Sequence, residues 1–454
     1  MLRTSQYTAC MKLSWLELTN FRCFERLRLD PAPDLTVLVG NNGAGKTAIL
    51  DAAAYALSPL LARMRIKGKK NLRAEDIRVV RKEVQAPYVR VAAETTKGVR
   101  WDRTLRRDWT RQTAADVPEP IGDKALYEWL DPTVRATKLG ESATLPIFAY
   151  YGVSRAVLEI PARRRNFPSE FCRLDALDNA LEPTTRFRDL FAWFYAQERN
   201  ELAAIFDEFS GGQEPGVGKL RRRLPVLQAV REAIVSIIPG FSRPRIRADP
   251  LRLALTQRTP DGSERELSLQ MLSDGYRTMV ALVMDFARRL AQANPHLDKP
   301  LEAEAILMVD EVDLHLHPVW QQTVVPSFRR AFPNTQFIFS THSPQVLTTV
   351  EAEKILIVDT SGVRPCPAPT YGARSSDVVA EVLGLQSLRP PDNEIASNIT
   401  ALFQALDAGH LDEAKRLRAE LESWAKGFPE PDLTRADLLI RRLEHQQKQL
   451  VPAP

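Results

Sequence analysis

The chain has few cysteines and no long apolar run, and both absences narrow what it can be. Its four cysteines among 454 residues (Cys10, Cys23, Cys172 and Cys366) are scattered and form no Cys-x-x-Cys pair. The sequence therefore indicates neither a disulfide framework nor a zinc site, and a reduced, cytoplasmic compartment fits best. The N-terminal residues lack the apolar core of a signal peptide, and no segment is apolar over the length of a bilayer, so we expect no membrane association.

Neither the composition nor the charge of the chain is unusual. The sequence is 44% hydrophobic and 26% charged, with a net charge of +5, and it shows no internal repeat or low-complexity tract. Basic runs occur at Met64–Arg73, Ala162–Arg165 and Lys219–Arg223. Such runs are usually solvated surfaces, but they leave DNA or RNA as a candidate partner.

The hydrophobic pattern alternates between strands and helices. Period-two alternation at Lys12–Asp30 and Pro87–Leu105 predicts antiparallel strands, and helical spacing predicts a pair of helices over Phe187–Phe206 and Leu227–Ile237. A further hairpin is predicted from Leu251 to Gln270, then a helix from Tyr276 to about Asn294. Continuous apolar runs predict buried strands at Asp34–Gly40, Leu145–Gly152, Ala305–Glu311, Gln336–Ser343 and Lys354–Asp359. From Asn393 onward the pattern predicts helices only.

A glycine-rich segment follows the first of these buried strands and opens a helix. It reads GNNGAGKT and comprises Gly40, Asn41, Asn42, Gly43, Ala44, Gly45, Lys46 and Thr47. This is the phosphate-loop pattern in its required context, where glycines let main-chain N–H groups and a helix N-terminus surround a polyphosphate. Lys46 would then reach the β- and γ-phosphates of ATP, and Thr47 would bind Mg²⁺. A chance glycine turn is the alternative, but the flanking strand and helix disfavour it.

Polar residues after two later strands supply partners for this loop. Asp310, at the end of the strand Ala305–Glu311, would hold Mg²⁺, and Glu311 beside it would orient or deprotonate the attacking water. His342 follows the next apolar strand and is placed to sense the γ-phosphate. Arg22, in the opening segment, would border the adenine.

Two segments resemble the signature that precedes a helix in ABC-type ATPases. FSGGQ, near Phe209, leads into Glu-Pro-Gly, and Phe209–Gly218 is so rich in glycine and proline that we predict a turn between two helices. The nearby GVGK lacks the first glycine and the Ser/Thr of a phosphate loop. LSDGYRT is the better signature, because Ser273, Asp274 and Gly275 lead directly into a helix.

The order GNNGAGKT, LSDGYR, MVDEVDLHLHP, STHSPQVL resembles the ABC-type ATPases of the RecF/SMC/OLD group. More narrowly, LSDGYRT, DLHLHP and LDEAKRLRAELE resemble stand-alone bacterial ATPases classified as AAA, including Septu-type and retron-linked anti-phage subunits. The resemblance implies that Ser273 and Gly275 of one chain contact the γ-phosphate bound by another chain, so that ATP joins two heads. It also implies that Asp313 crosses this interface. Asp274 stands where the group has glycine, and Tyr150–Arg155 stands where a Mg²⁺-contacting glutamine usually lies.

The alternation Asp313-x-His315-x-His317 invites a metal site. No further histidine or cysteine cluster in the sequence completes a ligand set, so we favour a turn before a helix.

Together these features predict an α/β fold: an ABC-ATPase head with a mixed β-sheet, an antiparallel β subdomain, a helical-hairpin insertion and a C-terminal helical extension. The expected boundaries are 1–160 for the N-terminal lobe, 161–245 for the insertion, 246–375 for the C-terminal lobe and 376–454 for the extension. The expected activity is ATP hydrolysis with Mg²⁺ in a head-to-head homodimer.

The expected role is control of a nucleic-acid transaction in anti-phage defence, with a separate HNH or Toprim nuclease partner. A RecF/SMC-like repair ATPase and an OLD-like ATP-gated nuclease are the alternatives. Intrinsic nuclease activity is disfavoured because the chain beyond Val358 reads as helical and contains no Asp-x-Asp.

Overall fold

The computed structural model describes residues 11–82, 84–156, 168, 170–184, 187–210, 224–238, 240–248, 251–259, 261–385 and 389–450. The chain divides into two compact units, Met1–Val378 and Val379–Pro454. The described strands are β1 Leu13–Phe21, β2 Phe24–Leu29, β3 Leu35–Val39, β4 Val79–Arg81, β5 Val84–Gln85, β6 Tyr88–Thr95, β7 Arg100–Arg106, β8 Ile147–Tyr151, β9 Phe241–Ala248, β10 Leu251–Arg258, β11 Glu264–Ser268, β12 Ala305–Val309, β13 Thr335–Thr341, β14 Ile355–Asp359 and β15 Gly362–Pro365. The described α-helices are α1 Lys46–Met64, α2 Arg111–Asp116, α3 Lys124–Lys138, α4 Phe187–Ser210, α5 Pro225–Ile237, α6 Asp274–Ala293, α7 Pro318–Ala331, α8 Pro344–Leu347, α9 Ser375–Glu381, α10 Glu394–Asp407, α11 Leu411–Ala425 and α12 Pro431–Leu450.

A six-stranded mixed sheet forms the centre of the first unit, in the order β15-β14-β3-β13-β12-β8. All neighbouring strands in it are parallel except β14 and β15, which pair antiparallel. Every residue of β3, β8, β12 and β13 is buried. Strands covered on both faces read as continuous apolar runs, which is why the sequence revealed them. Because the carboxyl ends of parallel strands meet at one edge, the residues that follow β3, β12, β13 and β8 are brought together.

An antiparallel sheet in the order β2-β1-β6-β7 packs beside the helix that follows the glycine-rich segment. Phe24, Leu27 and Leu29 of β2 are buried and the residues between them are exposed, as expected for a sheet with one covered face. Trp101, on β7, is fully buried and donates its indole N–H to the Ala56 carbonyl of α1 over 2.7 Å. This contact fixes the antiparallel subdomain on α1.

A second antiparallel sheet, in the order β11-β10-β9, precedes α6. The hairpin of β10 and β11 is predicted by the sequence, whereas β9 is not, because its segment FSRPRIRA is rich in arginine and contains a proline. The predicted helix pair is confirmed as α4 and α5. The predicted turn between them lies, beyond Ser210, outside the described residues, as do the basic runs Ala162–Arg165 and Lys219–Arg223. The turn therefore stays a prediction.

The second unit contains the three helices α10, α11 and α12, as the pattern after Asn393 predicted. The Asn393 side chain caps α10 by accepting a hydrogen bond from the Ala396 N–H over 3.1 Å. The buried side chains of these helices form their own core: Ile399, Leu402, Ala405, Leu406, Ala414, Leu417, Leu421, Leu433, Ala436 and Ile440. Among the described helices of the whole chain, none has the length and apolar character that crossing a membrane requires.

Candidate functional site

The glycine-rich segment forms a tight loop between β3 and α1. Gly43 and Gly45 adopt left-handed backbone conformations, with φ of 80° and 105°. A Cβ atom on Gly45 would lie 2.4 Å from the Phe24 ring, and one on Gly40 would lie 2.2 Å from the Val358 carbonyl oxygen. Only glycine fits at these two positions, because neither the ring of β2 nor the main chain of β14 leaves space for a side chain.

Lys46 lies inside this loop and is only 6% exposed. Its ammonium donates to the carbonyl oxygens of Gly40 and Asn41 over 2.8 and 3.1 Å, so that the loop closes around its own lysine. Burial lowers the pKa of Lys46, while the nearby carboxylates of Asp310 and Glu311 oppose that shift. The amine is therefore held in place by two neutral oxygens inside the loop.

Thr47 and Asp310 are adjacent although they are far apart in sequence. The Thr47 hydroxyl donates to the Asp310 carboxylate over 2.7 Å. The other carboxylate oxygen of Asp310 accepts from the Ser340 hydroxyl, which in turn accepts from the Glu311 N–H over 2.8 Å. Asp310 is 1% exposed, and these hydrogen bonds offset the cost of burying its carboxylate at the end of β12.

Glu311 begins the turn that follows β12, and its backbone is left-handed with φ of 50°. His342 follows β13 on the neighbouring strand. Burial and the charge of Lys46 lower the pKa of His342, although the carboxylates of Glu311, Asp313 and Asp310 act against this shift. A lowered pKa favours the neutral imidazole near pH 7.

The turn that continues from Glu311 packs against the signature segment of the same chain. Asp313 accepts a hydrogen bond from the Thr341 hydroxyl at the end of β13. Gly275 lies at the start of α6, and a Cβ atom there would come within 2.3 Å of the His315 carbonyl oxygen. The signature and the acidic turn therefore form one packed structure, in which glycine is required for steric reasons.

The two other signature residues face solvent. Ser273 and Asp274 are exposed, and Asp274 forms an ion pair with Arg277 one turn along α6. Within the part of the chain that the structure describes, no hydrogen bond or ion pair joins residues 273–275 to the loop 40–47 of the same chain.

Arg22 lies behind the loop and forms two ion pairs. Its guanidinium is 2.7 Å from Asp51, on α1, and 2.9 Å from Asp76. These contacts tie β1 to the phosphate-loop helix, and contact with adenine stays a prediction. Phe24 packs on Gly45 and is buried, so it supports the loop as a core residue.

Several known proteins are similar to this chain. The family described as "AAA domain" matches residues 16–210. The "Retron Vc95 probable ATPase" of Vibrio cholerae is 28% identical over 421 residues, which cover 82% of this chain and 79% of the relative. The "Septu protein PtuA" of Bacillus mycoides is 42% identical over 76 residues, 17% of this chain and 10% of the relative. An SMC head bound to a winged-helix domain of ScpA matches with a TM-score of 0.43 and 18% identity, covering 78% of this chain and 97% of that one.

The chain is an ATP hydrolase. Its glycine-rich loop follows β3, and its buried Asp310 follows β12. The mixed sheet, the antiparallel subdomain and the helical second unit match the predicted fold.

Three side chains in the site of the ATPase were not predicted. Ser340 joins Asp310 to Glu311, Thr341 holds Asp313, and Arg155 donates to the main chain of residues 310 and 311. Ser340 and Thr341 are the polar end of an otherwise apolar strand, QFIFST, and that change in polarity is a signal that could have identified them. Arg155 ends the segment Tyr150–Arg155, which the resemblance places where a glutamine usually contacts Mg²⁺, but nothing in the sequence indicates its contacts with main chain.

The histidines of DLHLHP have structural positions in the ATPase. The His317 side chain is the N-cap of α7 and accepts from the Val319 N–H over 3.4 Å. His315 has a left-handed backbone, with φ of 62°, and its carbonyl packs on Gly275. Among the described residues no group of three potential ligands converges on a metal position.

Proposed function

We propose that this ATPase binds ATP with Mg²⁺ and hydrolyses it as a head-to-head homodimer. The contact between Thr47 and Asp310 supports the site assignment most directly. It places a hydroxyl and a carboxylate, both hard oxygen ligands of the kind Mg²⁺ prefers, at the mouth of the phosphate loop. Bound Mg²⁺ would neutralise charge on the phosphates. Lys46 would contribute a second positive charge from inside the loop.

The roles of Glu311 and His342 follow from their strands. Glu311 directly follows the Mg²⁺ ligand, so its carboxylate is the candidate that orients or deprotonates the attacking water. His342, which is neutral near pH 7 because its pKa is lowered, would donate or accept a hydrogen bond at the terminal phosphate. Neither role requires a group from outside the head.

Dimerisation is supported by the exposure of Ser273 and Asp274. Their helix starts in solvent and its N-terminal N–H groups can bind an anion, yet the turn makes no described contact with its own phosphate loop. A second head that presented this turn to the loop would complete the site. Asp313, packed in the same structure as Gly275, would lie at that interface.

Lys46→Ala and Glu311→Gln test the catalytic part of this proposal. Lys46→Ala should abolish binding of a fluorescent ATP analogue, because the charge inside the loop is lost. Glu311→Gln should bind ATP but hydrolyse it at least about 10²-fold more slowly. Wild-type turnover in Glu311→Gln would show that another group serves as the base.

The dimer is tested with the same slow variant. Glu311→Gln should double its mass in light scattering when ATP and Mg²⁺ are added, and adding Ser273→Arg should keep it monomeric. Val319→Arg is a matched control, since it also introduces an arginine at an exposed position near a helix start. If the Ser273→Arg chain still dimerises with ATP, the signature turn does not cap the nucleotide.

We further propose that the ATPase acts in the cytoplasm in anti-phage defence, where it controls a separate HNH or Toprim nuclease acting on DNA or RNA. The similarity to retron and Septu proteins supports the defence role. The described residues after Pro365 form helices and contain no strand, which favours a separate nuclease over a fused Toprim module. Metal-dependent DNA cleavage by the purified chain alone would contradict the separate partner.

A further inference from the structure

Arg155 is a buried cation whose contacts the proposed function does not use. It lies just after β8, in the turn Val153–Ala156, and only 3% of it is exposed. The turn is fixed at its start, because the Gly152 N–H donates to the Pro183 carbonyl over 3.0 Å and the Arg155 N–H donates to the Gly152 carbonyl over 3.1 Å. The guanidinium therefore projects from a rigid base.

All described hydrogen bonds of this guanidinium go to main-chain carbonyls. Nη1 donates to the Gly152 carbonyl over 3.0 Å and to the Asp310 carbonyl, and Nη2 donates to the Glu311 carbonyl over 2.6 Å. The planar fork of arginine suits two oxygens that point the same way. Successive carbonyls of an extended strand point in opposite directions, so this double contact depends on the left-handed backbone of Glu311.

The other main-chain groups around Glu311 are also hydrogen-bonded. Its N–H donates to the Ser340 hydroxyl over 2.8 Å, and its carbonyl also accepts from the Leu314 N–H over 2.9 Å. The preceding N–H, of Asp310, donates to the Tyr151 carbonyl over 2.9 Å. Since a non-glycine residue does not adopt a positive φ without support, these contacts determine where the Glu311 side chain leaves the main chain.

We propose that Arg155 is a positioning residue for ATP hydrolysis: it clamps the carbonyls of Asp310 and Glu311 and thereby directs the Glu311 carboxylate. This inference rests on the proposed role of Glu311 as the base. It assigns to Arg155 no contact with nucleotide. Without Arg155, the buried Asp310 carbonyl loses the guanidinium donor and the Glu311 carbonyl keeps only the Leu314 N–H, so the turn is free to relax to an ordinary φ.

The first test compares Arg155→Met with wild type in ATP binding and turnover. The affinity for a fluorescent ATP analogue should stay within about twofold, while kcat at saturating ATP and Mg²⁺ should fall about 10²-fold, as misplacement of a catalytic group does. Arg173→Met is the matched control, because Arg173 also donates to main-chain carbonyls, those of Glu141, Ala143 and Ala293, away from the phosphate loop. It should leave kcat unchanged.

The second test asks whether Arg155 acts through Glu311. If it does, Arg155→Met should cause no further loss of kcat in a Glu311→Gln background, because the group it positions is already gone. A merely structural role would lower kcat in both backgrounds by the same factor. That additive result, or loss of nucleotide affinity in parallel with kcat, would overturn the inference.

The two hypotheses fail in different ways. Wild-type turnover of Glu311→Gln alone would contradict the base assignment, whereas additivity with Arg155→Met would contradict only the positioning role. If Arg155→Met does not fold, Arg155→Lys answers the same question, because lysine keeps the buried charge but cannot span both carbonyls with a planar fork. It should show the same loss of kcat and the same non-additivity.

Discussion

The buried carboxylate of Asp285 links the signature helix to the central sheet, and its removal should strongly destabilise the ATPase unit. Asp285 lies on α6 and accepts from the Tyr151 hydroxyl of β8 over 2.7 Å. It also pairs with the guanidiniums of Arg288 and Arg289, each over 2.8 Å. Burial alone would raise the pKa of Asp285, but Arg289 and Arg288 outweigh it and hold the pKa well below its ordinary value. The carboxylate is therefore charged in the folded state.

Asp285→Ala leaves two guanidiniums buried without their carboxylate, which typically costs about 3–5 kcal/mol. Arg289 keeps its bonds to the carbonyls of Ala176 and Asp178, and Arg288 keeps Gln292. These remaining partners place our expectation at the lower end, about 3 kcal/mol. Because the pKa of Asp285 is lower in the folded chain, its contribution is present above about pH 4 and is lost as the pH falls further.

Urea unfolding measures this loss, monitored by tryptophan fluorescence in a Trp424→Phe background. That substitution removes the one tryptophan beyond residue 378, so the signal reports the first unit. Asp131→Ala is the matched control, because it breaks an ion pair in which the side chains of Arg63 and Asp131 are 44% and 41% exposed. It should lower the free energy of unfolding by less than about 1 kcal/mol. A change below about 1 kcal/mol for Asp285→Ala would refute the reasoning that the buried pairs matter more than the exposed one.

Three further substitutions test the packing around the site and the insertion. Gly275→Ala should slow ATP turnover without lowering affinity for a fluorescent ATP analogue, because its Cβ would displace the signature turn from the His315 carbonyl. Ser340→Ala should lower the free energy of unfolding by about 2 kcal/mol in urea, since it removes a buried donor to Asp310. Burial raises the pKa of Glu198 to about 7, so protonation of this carboxyl favours the folded state. The free energy of unfolding should therefore decrease as the pH rises from about 4.5 to about 7. Glu198→Gln should flatten that dependence in thermal melts across the same pH range.

The phosphate loop and the acidic turn were readable from the sequence because their chemistry is local. A loop that surrounds a phosphate needs glycines and a lysine within eight residues, and both faces of a buried strand need apolar side chains. The contiguous segments GNNGAGKT and AILMVDE meet these two requirements. Strand β9 was missed because its segment contains four polar residues and a proline, which is rare inside a strand.

Contacts between distant segments could not be predicted in the same way. Ser340 contacts Asp310 because β13 and β12 are neighbouring strands. Gly275 contacts His315 because the start of α6 packs against the acidic turn in space, although the two are about 40 residues apart in sequence. From the sequence, the glycine of LSDGYR is expected only as part of a nucleotide-capping signature. The structure gives it a second reason, a close approach of main chain that leaves no space for a Cβ atom.

By itself, the amino-acid order determined which strands are buried, where the glycine-rich loop lies and which acidic residues follow the strands. Those features depend on side chains close together in the chain. Only the tertiary structure decided that Arg155 faces the carbonyls of residues 310 and 311 and that Glu311 turns left-handed. The reason is physical. Every residue has a main-chain carbonyl, so the sequence does not show which carbonyls a side chain will contact. Such a contact is known only when the strands are in place.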